Sequence, residues 1–406
     1  MSIAFAIPWL VAAQVTAGQP ATPSAPAPPD QKALEKEFQD SLAKDAAAKA
    51  QAQGSATTAA PAQTQSPAPP PAAIGGGGNI SNPEISVIGS FAAVARRDGD
   101  VAPTFKAGDD APAQGVAVQE LELSFAADVD PYFRMFAFLT MSDTETVEIE
   151  EAFLTTTALP RGFLFKGGDF RSAFGRNNEQ HLHVQDFGRR PKTTQLLGDD
   201  GLRAPGAQLS YLLPTPWYAT ILVEYLGLNQ DPSATLELEQ FFDISRSWSL
   251  LWGLSSATLQ RGAPDPTDLV PMPAKPDREF LLGTDVYLKW RPPNEADTYF
   301  WVGVTAEYIA SRTENKDWDG AGYGQVVAQV ARRLRAGVRL DFVGFPSTAL
   351  GRELDASASL AFLPTEFSRI RLTYAHDHPL DNGSLRNDYL ILQLEGTIGA
   401  HGAHPF

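Results

Sequence analysis

The sequence predicts an all-β protein, a transmembrane antiparallel β-barrel of about sixteen strands. Three observations point there. From Asn79 onward the chain alternates apolar and polar residues with period two, in segments close to the roughly 9–11 residues that cross a tilted barrel wall. The connections alternate short and long, as in bacterial barrels with short periplasmic turns and longer extracellular loops. Aromatic residues gather at strand ends beside the short turns (Tyr132, Phe133, Trp217, Tyr218, Trp248, Trp290, Tyr299, Phe300 and Trp301), where interfacial girdles belong.

Taken in order, residues 1–18 read as a secretory signal, with an apolar run from Ile3 to Ala13 and small residues near Ala17. Residues 19–78 form a Pro/Ala/Gly-rich linker expected to be disordered and periplasmic. Within it, 32–53 carries Leu34, Phe38 and Leu42 at four-residue spacing. That stripe predicts a short helix able to self-associate. The barrel is expected over 79–406. No stretch is long and apolar enough to span a bilayer as a helix, which excludes a helical membrane protein.

The strands are expected at 84–95, 118–129, 133–142, 147–158, 163–169, 206–213, 217–226, 235–244, 247–259, 279–291, 299–311, 323–334, 338–343, 353–363, 368–376 and 388–398. Leu354, Ala356, Ala358, Leu360 and Phe362 share one face, and Asp355, Ser357 and Ser359 the other. Glu120, Glu122, Glu148, Glu237, Glu239, Asp285, Arg333, Arg369 and Arg371 are placed on a wet lumen face. On the lipid face each would cost about 2–4 kcal/mol near the midplane. The adjacent Glu150 and Glu151 are expected on opposite faces, too far apart to act together. Longer loops are expected at 96–117, 170–205, 227–234, 260–278, 312–322, 344–352 and 376–387.

With 48 Asp and Glu against 32 Lys and Arg, the chain has a net charge of −16 and no basic excess for a nucleic-acid partner. It has no cysteine, which excludes disulfides and thiolate chemistry. Against this acidity, the polar run Asp169–Pro205 concentrates Arg171, Arg176, Arg189, Arg190, Lys192 and Arg203, together with Asp186. Loops this long are usually functional. Its predicted place is the mouth or lumen, as a solute-selecting constriction. The cations could bind anions, or could pair with nearby carboxylates and pin the loop.

The six histidines fall in close pairs: His181 with His183, His376 with His378, and His401 with His404. Imidazole suits zinc, copper or nickel, so the first two pairs could form a zinc site, although solvated histidine is the simpler alternative. No cofactor is otherwise expected. No nucleophile motif converges with a histidine, so no enzymatic activity is expected.

The stretches NPEISVIG (Asn82–Gly89), EEAF (Glu150–Phe153), KGGDFRSAFG (Lys166–Gly175), HLHVQD (His181–Asp186), Arg190-Pro191, GDDGL (Gly198–Leu202) and GAHGAHPF (Gly399–Phe406) resemble a family of Gram-negative outer-membrane porins. That family is distantly related to the phosphate-selective porins. Some members are described as zinc-regulated TonB-dependent outer membrane receptors. The resemblance implies a barrel placed in the outer membrane by the barrel-assembly machinery, in contact with outer-membrane lipids, with the N-terminal segment in the periplasm.

The expected function is passive diffusion of small hydrophilic solutes or ions, in a barrel that could be a homotrimer. The alternatives are a zinc- or phosphate-specific uptake channel and a non-transporting barrel for adhesion or anchoring.

Overall fold

The computed structural model describes residues 83–98, 114–142, 147–198, 201–228, 231–260, 278–293, 299–313, 317–347, 351–380 and 386–399, all within the unit Gln65–Phe406. The expected signal, linker and helix, and the residues after Gly399, lie outside the described residues. Among those described, no helix is long and apolar enough to cross a membrane.

The elements are β1 (Glu84–Asp98), β2 (Gly115–Asp128), β3 (Phe133–Met141), β4 (Val147–Thr156), β5 (Phe163–Arg171), β6 (Arg203–Leu212), β7 (Tyr218–Leu228) and β8 (Asp231–Asp243). They continue as β9 (Trp248–Gln260), β10 (Arg278–Trp290), β11 (Trp301–Thr313), β12 (Asp319–Ala331), β13 (Leu334–Val343), β14 (Glu353–Thr365), β15 (Ser368–Asp377) and β16 (Asn387–Gly399). Each pairs antiparallel with its sequence neighbours. The sheet closes where β1 meets β16, from Ser86↔Gly399 to Asp98↔Asn387. Closure removes the free edge, whose unpaired peptide groups would each cost several kcal/mol in hydrocarbon.

The faces are inverted relative to a soluble barrel. Leu354, Leu360, Phe362, Leu372, Tyr374, Leu390, Leu392 and Leu394 stand exposed on the outside. On the same strands Asp355, Ser357, Ser359, Arg371, Thr373 and Gln393 are buried inside. A chain with apolar residues outward and charges inward is matched to lipid around a polar lumen. Tyr132, Phe133, Trp217, Trp248, Tyr299 and Phe300 are exposed around the short-turn end. Trp217 stacks on Phe242 at 5.9 Å and Trp248 meets Trp290 at 6.5 Å.

Several expected boundaries move. Within the expected 227–234 loop, strand pairing continues to Leu228↔Asp231. Pro205 stands within β6, paired with Asp169, and the β5–β6 ladder runs on to Arg171↔Arg203. β12 starts at Asp319 rather than Tyr323, through a glycine-rich stretch that reads as a turn. Gly320 and Gly322 are required there: a Cβ at Gly320 would meet the Tyr308 hydroxyl at 2.6 Å, and one at Gly322 the Phe342 ring at 2.5 Å. The two rings stack over these glycines, 6.0 Å apart. Arg333 is exposed in the β12–β13 turn rather than on the lumen face.

One correction changes the chemistry. Glu150 and Glu151 both point inward and both are buried. The β3–β4 register passes from Phe138↔Glu151 to Leu139↔Ile149, leaving Glu150 as an extra, unpaired residue. A second bulge leaves Gln119 unpaired between Ser90↔Glu120 and Phe91↔Val118. A bulge places two residues opposite one and resets the alternation. Here each turns two consecutive polar side chains toward the lumen.

Candidate functional site

The Arg171↔Arg203 rung closes the base of the loop between β5 and β6, and the described residues from Ser172 to Gly198 fold into the barrel. The first limb runs past β7 to β11. Its backbone N–H groups donate to carboxylates of the wall: Ala173 to Glu224 at 3.0 Å, Gly175 to Glu237 at 3.2 Å and Asn177 to Glu307 at 3.1 Å. The Ser172 hydroxyl also donates to Glu224.

The second limb crosses to β13–β15. The Gly188 N–H donates to the Thr373 hydroxyl at 3.0 Å, and the Ser359 hydroxyl to the Asp186 carbonyl at 2.8 Å. Arg339 donates to the carbonyls of Arg189 and Arg190 at 3.1 and 3.2 Å, and Arg371 to that of Gln185. Loop backbone has no partner strand, so buried wall side chains satisfy its polar groups.

Asn178 joins the two ends of the loop. Its amide donates to the Ser172 and Leu202 carbonyls at 2.7 and 2.9 Å, and its oxygen accepts from the Leu202 N–H at 2.7 Å.

Beneath these bonds lies an apolar cluster. Phe170, Phe174, Leu196, Leu197 and Leu202 pack with Leu226, Leu259, Leu281 and Ile309 of the wall, all buried. These wall leucines and the isoleucine face inward where the alternation asks for polar residues, which marks the contact surface for the loop. Phe174→Ala is expected to cost about 3–5 kcal/mol of loop packing. Hydrogen exchange would report it as lost protection across 172–198 while the strands stay protected.

Each expected cation now has a partner. Arg171 donates to Glu150 at 2.6 Å, deep in the wall. Arg189 forks onto Asp377 and lies 3.7 Å from Asp355. Lys192 reaches Glu353 at 3.2 Å and Asp355 at 3.4 Å. Arg190 donates to the Gln180 carbonyl at 2.8 Å. Arg203 donates to the carbonyls of Ile149 and Glu150 at 3.1 and 2.8 Å. The Arg176 guanidinium lies over the Tyr287 ring, 4.3 Å from its centre. Asp186 pairs with Arg335 at 3.0 Å. Burial works against the Arg189 charge, but Asp377 and Asp355 outweigh it and hold the guanidinium above its ordinary pKa.

The structure separates the two histidine pairs. His181 and His183 sit against β2 and β4. His181 Nδ1 lies 3.0 Å from Glu122 and 3.3 Å from Glu150, and its Nε2 lies 3.0 Å from Glu151. His183 Nδ1 lies 3.2 Å from Glu122 and 3.6 Å from Glu120. Burial disfavours both imidazolium ions, yet these carboxylates raise both pKa values above the ordinary one, His181 the more strongly. His376, on β15, pairs instead with Asp388 at 2.8 Å and stacks on His378. The four histidines form no joint cluster: His376, on β15, meets Asp388, and His378, just beyond the strand, donates its N–H to Asp355.

The wall carboxylates Glu122, Glu150, Glu151, Glu224, Glu307, Asp355 and Asp377 complete the site. Sequence reasoning passed over most of them as ordinary lumen residues or loop neighbours. A signal existed in β4: the outward residues Ile149 and Leu154 are five apart, an odd step that period two forbids without a bulge.

No family model matches the chain. An uncharacterized protein of Aquifex aeolicus (strain VF5) is 31% identical over 337 residues, 72% of this chain and 70% of that protein. Solved structures share the fold. An anion-selective porin from Comamonas acidovorans has a TM-score of 0.53 at 8% identity, covering 78% of this chain and 99% of the other. A loop-deletion mutant of OmpT, an outer membrane protein of Vibrio cholerae, has a TM-score of 0.50 at 12% identity, covering 77% and 99%. The chain belongs to the family of the Aquifex protein, and its fold is that of these outer-membrane barrels. In this barrel the loop bonds to β7, β8 and β11 on one arc and to β13–β15 on another.

Proposed function

We propose that the chain is a passive diffusion channel of the bacterial outer membrane, admitting small hydrophilic solutes past the loop 172–202, with its N-terminal segment on the periplasmic side. The observation that carries this reading is a charged lumen inside a closed, lipid-facing barrel, with a loop fastened to β7 and, half-way round the wall, to β15. About sixteen strands leave an aqueous lumen, so a loop across it sets the aperture. Selection then follows from radius and lumen charge, with no chemical step.

The partners of the loop cations favour this over a phosphate-specific eyelet. An anion would have to displace Glu150, Asp377 or Glu353 from Arg171, Arg189 or Lys192, whereas anion-selective rings present their cations to the passing ion.

Planar-bilayer recording of the purified full-length protein tests the reading. Stepwise openings of constant size, blocked weakly or not at all by phosphate, are expected. Absence of any step would leave a barrel that anchors or adheres without transport. A trimer is proposed as the assembly, and crosslinking in native membranes would reveal it as a ladder ending at three chains.

A further inference from the structure

The two bulges bring Glu120, Glu122, Glu150 and Glu151 around His181 and His183, and one ligand atom each from Glu122, His181 and His183 lies within 4.8 Å of the others. Glu122 Oε2 stands 3.0 Å from His181 Nδ1 and 3.2 Å from His183 Nδ1, and Glu150 Oε2 stands 3.3 Å from His181 Nδ1. Tetrahedral zinc with bonds of about 2.0–2.2 Å spaces its ligand atoms about 3.3–3.6 Å apart. These three distances therefore need to lengthen by only a few tenths of an ångström, and the ligand atoms of Glu122, His181 and His183 already lie within 4.8 Å of one another.

Three further features point to a ligand. Glu150 is buried, and its Oε2 faces the cluster without an aligned hydrogen bond, while its Oε1 is taken by Arg171. Glu120 Oε1, beside His183, also lacks one. The far nitrogen of His181, Nε2, is held by Glu151 at 3.0 Å. A ligating histidine almost always gives its other N–H to such a partner, so an ion at Nδ1 would replace the proton that His181 shares there with Glu122 and Glu150. The other carboxylate cluster, Glu353, Asp355 and Asp377, already holds Arg189 and Lys192 as counterions.

We propose that His181, His183, Glu122 and Glu150 bind one divalent transition-metal ion, of the class to which zinc and nickel belong, and that the ion locks the loop to β2 and β4. Imidazole and carboxylate donors suit these ions. His376 and His378 take no part. The site rests on the loop lying in the lumen, not on whether the channel conducts.

The test uses full-length protein in detergent, saturated with zinc chloride, desalted and measured for bound metal. One zinc ion per chain is expected for the native protein and for His376→Ala with His378→Ala. None is expected to survive desalting in His181→Ala with His183→Ala. Glu122→Gln, which preserves side-chain volume, should also lose the ion while keeping the β-sheet circular dichroism of the native chain. Glu151→Gln should weaken zinc about 10–100-fold by freeing the His181 ring. Native protein that retains no more zinc than the double histidine variant overturns the proposal, as does Glu122→Gln with full occupancy. Conductance of the same preparation is read separately, so native protein that retains no zinc yet opens in steps rejects the metal site and leaves the channel standing.

Discussion

Replacing residues 174–201 by a short Gly-Ser bridge is expected to raise single-channel conductance at least about twofold, because a barrel of sixteen strands leaves an open aqueous lumen once nothing crosses it. The Arg171↔Arg203 rung stays intact in that variant, so the wall keeps its register. The deletion also removes Phe174, Leu196 and Leu197 from the lumen and exposes Leu226, Leu259, Leu281 and Ile309 to channel water. The barrel should therefore lose some thermal stability while gaining conductance. Unchanged conductance would mean that the loop does not set the aperture.

Arg189→Ala carries the second large effect. The guanidinium is buried between Asp377 and Asp355, and its removal leaves two buried carboxylates facing each other beside Lys192. Removing one partner of a buried pair typically costs about 3–5 kcal/mol, because the other charge remains desolvated. That cost falls on the second limb of the loop, which Gly188, Arg189 and Lys192 tie to β13–β15. The limb should detach, giving noisier channels and faster hydrogen exchange over 185–193. Arg189→Lys should recover only part of the anchoring, since an ammonium lacks the two-pronged geometry of the fork onto Asp377. Equal exchange in native protein and Arg189→Ala would place the anchoring elsewhere.

The barrel was legible in the sequence because each strand must serve two solvents at once. A period-two pattern such as Leu354 to Phe362 against Asp355 to Ser359 survives any change of neighbours. The strand ends were less legible where glycine or proline carries two meanings. Gly320 and Gly322 read as a turn, yet they clear space for Tyr308 and Phe342 within a paired strand. Pro205 reads as a stop, yet it sits in the ladder opposite Asp169.

The site was legible in its cations and in one pair of histidines, not in their partners. Arg189 meets Asp377 across 188 positions of sequence, and His181 meets Glu122 across 59. Nothing local encodes such pairs. The bulges were hidden because one extra residue looks like a change of phase, and it took the inward turn of both Glu150 and Glu151 to expose it.

The central claim is that the loop lies inside the barrel against the wall. The native chain has no cysteine, so a designed pair can be read without background. A Cβ placed on Gly188 would lie 3.2 Å from the Ile391 side chain on the inner face of β16, close enough for a Gly188→Cys, Ile391→Cys pair to bridge. In protein folded in outer membranes, the account predicts a disulfide between these two positions, seen as a reducible shift in gel mobility and a cross-linked peptide by mass spectrometry. Two free thiols, with Cys at 188 labelled by a bulky reagent from outside the cell, would contradict it.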